Sequence, residues 1–222
     1  MDWEALQLSA QLAICTAAIL IPAGIVVGRF LAWREFPGKG FVEAALALPL
    51  VLPPTVFGYY LLVGMGGGSD IGRWYEAVIG HPLVFTFQGL LVASVLFNIP
   101  FAVQPIQRAF QAIPEDVRHA AACCGLSRWR TLMRIELPLA WTGLLSALVM
   151  TFAHTLGEFG VVLMVGGSIP GETKTIAISI YDRVQAFDDR SAATMSAFLL
   201  AFSFIGIGLV SHLTRRIGSR HG

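Results

Sequence analysis

Charge is what this sequence has least of. Only 13% of its 222 residues are Asp, Glu, Lys or Arg, where a soluble globular domain carries about 25%. The shortage is concentrated in runs. Ala5–Gly28, Ala44–Ser69, Pro82–Gln107 and Ser191–Ser211 hold no Asp, Glu, Lys, Arg or His, and Leu137–Ala153 is equally bare, staying apolar past His154 to Val165. No water-facing surface can be built from such stretches. Cysteine is also scarce. Cys15, Cys123 and Cys124 offer neither a disulfide framework nor metal-ligand spacing, and the adjacent pair reads as small packing residues. The opening MDWE lacks the basic n-region of a signal peptide, so the first run is expected to be retained. A nucleotide site is missing too. The nearest approach to GxxxxGK[ST] is Gly166–Gly171 followed by Glu172 and Thr173, which puts an acid where a lysine must meet phosphate.

What is present is apolar. Hydrophobic residues make up 55% of the chain, and the mean hydropathy is +0.70. Each run meets or approaches the roughly 20 residues that cross a bilayer as a helix, and backbone polar groups in lipid are satisfied within such a helix. The fold class is therefore an all-α integral membrane protein with about five transmembrane helices. The spans are expected near 5–33, 42–64, 82–105, 138–165 and 191–213, within one domain over 5–213. Segment 108–137 joins spans three and four.

Basic residues gather on the cytoplasmic side of membrane proteins. With the N-terminus outside, the inner segments hold eleven of the fifteen: Arg29, Arg34, Lys39, Arg108, Arg118, Arg128, Arg130, Arg134, Arg215, Arg216 and Arg220. Only Arg73, Lys174, Arg183 and Arg190 fall outside. This predicts an external N-terminus, a cytoplasmic C-terminus and a cytoplasmic 108–137 segment.

That segment has its own grammar. Pro114 with Glu115 and Asp116 suits a helix start, and Gly125 suits the position just past its end. Ser127 can cap a second helix, SRWRTLMRIEL. The spacing predicts two short helices at a bend, lying along the membrane, with Trp129 and Leu132 free to face a groove. A basic interfacial loop held by anionic lipid is the plainer alternative.

His119-Ala120-Ala121, three residues, Gly125, nine residues, then Ile135-x-Leu137-Pro138 resembles the cytoplasmic signature of ABC importer membrane subunits. His119 stands where that family usually has Glu. The resemblance implies a type I importer permease fold and a coupling segment that enters a groove of a separate ATPase. Glu115, His119, Ala120, Ala121, Gly125, Arg128, Trp129, Arg130, Ile135, Leu137 and Pro138 are its expected contacts. LPLVLPPTVFGYYLLV (Leu48–Val63), HTLGEFGVVLMVGG (His154–Gly167) and IPGETKTIAISIYDRVQ (Ile169–Gln185) resemble permease subunits of molybdate importers in particular. The implied partners are a second copy of the chain, two copies of the ATPase, an external substrate-binding protein, molybdate or a related oxyanion, and membrane lipid, with no nucleic acid. ATP and Mg would sit on the ATPase, leaving this chain without a cofactor. The implied location is the cytoplasmic membrane of a bacterium or archaeon. Tungstate, sulfate or thiosulfate by the same mechanism is the alternative cargo.

A dianion path must be easy to enter and easy to leave. The uncharged runs offer hydroxyls and amides: Thr55, Tyr59, Tyr60, Thr86, Gln88, Ser94, Asn98, Thr151, Thr155, Ser196 and Ser203. Each could equally make an ordinary interhelical hydrogen bond. Pro49, Pro53 and Pro54 should kink or break span two, which serves a gate or a packing bend. His154 and Glu158 are four apart and share a face of a continuous helix. Glu158, flanked by Gly157 and Gly160, is expected to pin the gate by bonding His154, nearby backbone or a second subunit. The gate and path candidates are thus Pro49, Pro53, Pro54, Thr55, Tyr59, Asn98, Thr151, Thr155, Gly157, Glu158 and Gly160. An intramembrane enzyme using His154 and Glu158 is a remote alternative. Gly24-x-x-x-Gly28 allows two helices to approach closely.

Overall fold

The computed structural model describes residues 1–218, and these contain helices and turns but no strand. Asp2 caps the first helix, α1 (Trp3–Trp33), by accepting the Ala5 amide at 3.1 Å. The GxxxG pair of α1 is used within the chain. A Cβ on Gly24 would lie 2.9 Å from Ile106 Cδ1, and one on Gly28 would lie 3.0 Å from the Gln107 nitrogen. Both contacts are with α5 (Phe87–Gln111), the central helix, which packs against α1 and α8 most extensively.

The expected span 42–64 is two helices. α2 (Lys39–Val51) and α3 (Pro54–Met65) bend by 109° across Leu52–Pro53. Leu52 is extended, as a residue before proline prefers, and Pro54 takes the first turn of α3, where its missing N–H costs nothing. Pro49 stays inside α2, buried, and makes no break. The short α4 (Asp70–Ile79), capped by Ser69 and ended by Gly80, follows the glycine-rich turn at 66–69.

Beyond α5, α6 (Glu115–Cys123) starts after Pro114. The second helix expected in this segment does not stand apart. α7 (Arg128–Thr131) continues through a π turn (Leu132–Glu136) into α8 (Leu137–Gly157). A proline inside a continuous helix lacks its donor and crowds the carbonyl one turn back. The wide turn immediately before Pro138 relieves that crowding.

The expected span 138–165 also divides. α8 ends at Gly157, Glu158 is extended (φ −67, ψ 129), and α9 (Gly160–Gly166) follows. The loop 167–175 leads to α10 (Ile176–Gln185) and then α11 (Asp189–Gly218). The expected fifth span, 191–213, falls on α11, whose side chains beyond Ile205 lie largely outside the described residues. Arg215, Arg216 and Arg220 of the charge count lie there as well.

Among the described residues, three helices are long and apolar enough to cross a membrane: Trp3–Trp33, Phe87–Gln111 and Arg128–Gly157 taken through its π turn. The bent α2–α3 pair makes a fourth if counted as one span.

Candidate functional site

Two regions carry polar chemistry in this apolar bundle. The first lies where the two broken spans meet. A Cβ on Gly160, at the start of α9, would come within 2.8 Å of Pro54 Cβ at the start of α3. A ring carbon cannot swing away, so glycine is what lets these helix starts touch. Around the contact is a cavity of about 550 Å³, lined by Pro54, Thr55, His154, Gly157, Glu158 and Gly160 together with Phe97, Ala153 and Phe159. No lysine or arginine lines it.

Glu158 is only 5% exposed. Its Oε2 accepts from Ser94 Oγ at 3.1 Å and from Asn98 Nδ2 at 3.2 Å. Its Oε1 is buried without a partner among the described residues. Asn98 also donates to the Ser94 carbonyl at 2.9 Å, and its Oδ1 lies 2.9 Å from His154 Nδ1. Phe101 stacks on the imidazole at 4.0 Å between centroids. Of the partners expected for Glu158, His154 is reached only through Asn98, and no backbone group bonds its carboxylate among the described residues. The four-residue spacing places two side chains together only while the helix continues, and α8 ends between them.

The other path candidates disperse. Pro49, Pro53, Tyr59, Thr151 and Thr155 do not line this cavity. Thr155 donates to the Thr151 carbonyl at 2.8 Å inside its own helix, and Tyr59 is 53% exposed on α3. Ser94, present only in the sequence inventory of hydroxyls, belongs to the cluster. Its place four residues before Asn98, on the same helix face, was the available signal.

The second region is the basic end. Ala121 is buried and Val117 packs against the core with Phe110 and Ile113, while Glu115, His119 and Ala120 are exposed. Gly125 sits at φ +69, a left-handed position with open space around its Cα, where glycine carries no steric penalty. Ser127 caps α7, and Arg128, Trp129 and Arg130 all point outward, Trp129 being 66% exposed. Leu132 turns inward onto the core with Ile113 and Phe110 rather than toward a groove. Ile135 lies in the π turn and Leu137 and Pro138 open α8, so these three anchor the segment to the span.

Beneath it lies an ion pair that sequence spacing does not reveal. Arg29 Nε and a second guanidinium nitrogen meet Glu136 at 2.7 and 3.0 Å, across 107 residues, with the carboxylate 3% exposed. The Arg29 and Arg118 guanidinia lie 5.0 and 4.2 Å from the Trp33 ring centroid, and Trp33 Nε1 donates to the Phe110 carbonyl at 3.2 Å. The only hint in the sequence was a lone arginine at the end of span one and a lone acid at the start of span four.

At the opposite end the loop 167–175 is exposed over 168–172 and anchored by its last residues. Thr173 is fully buried and donates to the Gly166 carbonyl at 2.6 Å. Ser9 on α1 accepts the Ile176 amide at 2.8 Å. Ser179 donates to Asp2 at 2.7 Å, and Lys174 lies 3.2 Å from Asp182. Burial works to raise the Asp2 pKa, but the bonds from Ser179 and the Ala5 amide, with Lys174 nearby, outweigh it and hold Asp2 below its ordinary value.

Known proteins match this arrangement. The family model for the binding-protein-dependent transport system inner membrane component matches residues 21–219. The molybdenum transport system permease protein ModB of Azotobacter vinelandii is 43% identical over 204 residues, covering 92% of this chain and 90% of that protein. The protein of the same name from Escherichia coli (strain K12) is 34% identical, covering 100% of this chain and 97% of its own. A solved bacterial ABC transporter, involved in import of the acidic polysaccharide alginate, shares the fold with a TM-score of 0.75 at 16% identity, over 96% of this chain and 79% of that one.

Proposed function

The chain belongs to the family of binding-protein-dependent transport system inner membrane components, and on that premise we propose that it is the permease subunit through which an ATP-driven importer carries molybdate inward. Its family makes it a non-catalytic, membrane-embedded subunit. The observation that carries the path is the meeting of two helix breaks at one cavity with a neutral or acidic lining. Broken helices at membrane depth belong where they line a passage or are buried in protein. A lining without fixed cations gives a dianion no deep well to be trapped in, and the contact of Gly160 with Pro54 is narrow enough to act as the gate. Glu158 is held by Ser94 and Asn98, which supports a role in pinning that gate rather than in gripping cargo.

Coupling falls to the basic end. α6 and α7 present an exposed arginine-rich elbow with Trp129 at its tip, a shape suited to a groove on a separate ATPase. Two copies of this chain would enclose the path, two ATPase subunits would drive it, and an external binding protein would supply affinity. The N-terminus lies outside and the elbow in the cytoplasm. Similarity to two molybdenum permeases supports molybdate as cargo.

Vesicles containing this chain, its ATPase and the binding protein should accumulate molybdate only when ATP is supplied on the ATPase side. Uptake without the ATPase would overturn the coupling. Preferred uptake of tungstate or sulfate under the same conditions would overturn the cargo alone. Cys123 and Cys124 are exposed on the elbow, so an impermeant maleimide should label them only in opened cells; labelling in intact cells would reverse the orientation.

A further inference from the structure

At the basic end, α1 and the α6–α7 elbow enclose an open cleft of about 890 Å³. Its charged lining is one-sided. Arg34, Arg118, His119 and Arg128 face it, and the two carboxylates in the lining are already engaged, Glu136 by Arg29 and Glu35 by Lys39. Arg34, Arg118 and Arg128 form no ion pair among the described residues. Three guanidinia in one concavity repel each other unless an anion joins them, and the guanidinium fork matches phosphate oxygens.

The rest of the wall is apolar, contributed by Val26, Phe30 and Phe36. Phe30 and Val26 continue along α1 as an exposed stripe with Ile19, at 52%, 70% and 46% exposure. These three positions are seven and four residues apart, so they fall on one helix face. A basic pocket at the end of an exposed apolar stripe has the layout of a phospholipid: a charged head and a long tail. Basic pockets between transmembrane helices bind anionic headgroups in this way.

We propose that this cleft is a binding site for the phosphate headgroup of an anionic phospholipid, with an acyl chain lying along Ile19, Val26 and Phe30. The bound lipid would bridge α1 to the elbow, joining the cytoplasmic segment to the bundle beside the Arg29–Glu136 pair. The site rests on this chain being a membrane permease, but not on its cargo or its ATPase.

The test uses the full chain purified in mild detergent and mixed with phosphatidylglycerol or phosphatidylcholine, read by native mass spectrometry. The mass of the adduct distinguishes bound lipid from free phosphate or molybdate, each added in a separate arm. Phosphatidylglycerol should be retained over phosphatidylcholine. At about a fivefold loss for each arginine near a headgroup, Arg34→Gln should weaken that retention about fivefold and Arg34→Gln with Arg118→Gln about thirtyfold. Arg73→Gln, at the far end, should change nothing. Arg118 also touches Trp33, so the exposed Arg34 variant decides the matter if the double variant fails to fold. Equal retention by Arg34→Gln and wild type would overturn the proposal. So would phosphate or molybdate adducts in place of lipid, or a loss of ATPase association in Arg34→Gln with lipid retention unchanged. Transport assays are separate, so a failed lipid site leaves the permease reading standing, and failed transport leaves lipid retention measurable.

Discussion

Two buried glutamates bracket α8, and their surroundings are opposite. Glu136, just before its first turn, is 2% exposed and clasped by both donors of Arg29. Glu158, just past its last, is 5% exposed and meets only a hydroxyl and an amide, with one oxygen unpartnered. The first is a full-charge lock between helices distant in sequence. The second is held by weak neutral donors at a break beside a cavity. One helix thus has a fixed end and a loosely held end, which suits the transmitting role proposed for it.

Removing the lock should have the largest effect. Glu136→Ala leaves Arg29 half-sheltered and unpaired, and breaking a buried pair costs about 3–5 kcal/mol. The lower end applies because the arginine side chain is 31% exposed. Thermal unfolding in detergent should show it, and Arg29→Gln combined with Glu136→Gln should recover part of the loss. If Glu136→Ala melts like the parent, the two glutamates do not differ as described.

Next comes Gly125→Val. A β-branched residue at φ +69 costs about 1–2 kcal/mol. No neighbour lies within reach of the added Cβ, so the strain should stay in the elbow. The variant should insert normally yet lose ATPase in co-purification; undiminished association would remove the elbow from the interface.

Glu158→Gln should change stability by less than about 1 kcal/mol, because the amide carbonyl can still accept from Ser94 and Asn98. Its effect should fall on turnover in the vesicle assay, with binding-protein recognition intact. A changed preference among oxyanions would make Glu158 a cargo contact and collapse the contrast with Glu136.

The smallest effect concerns a third carboxylate, Asp2, on the other surface. Its folded pKa is lowered, so its contribution is complete above the unfolded value and is lost as pH falls through the folded one. Proteolysis near Lys174 should quicken in that acidic window and lose its pH dependence in Asp2→Asn. Equal pH dependence in the variant would assign the effect elsewhere.

Much of the architecture was legible because lipid imposes a simple rule. Long uncharged runs became helices, and the paired Pro53 and Pro54 marked the bend in span two. The glycines around Glu158 marked a second irregularity, though the four-residue spacing assumed an unbroken helix there, and the His154 it offered as one partner is reached only through Asn98. Long-range pairs left less trace. Nothing local distinguishes Arg29 from a snorkelling residue or Glu136 from a surface acid, because their meeting depends on how α1 and α8 pack.

The π turn of Leu132–Glu136 sets how the elbow is rotated on α8. It carries a surplus residue between the arginines of α7 and the body of α8. In an ordinary α-helix each residue accounts for about 100° of rotation and 1.5 Å of advance. Tightening the wide turn would swivel the elbow by roughly that angle against the column above it and bring back the crowding at Pro138 that the turn relieves. The register of the elbow against α8 is therefore set by that one surplus residue.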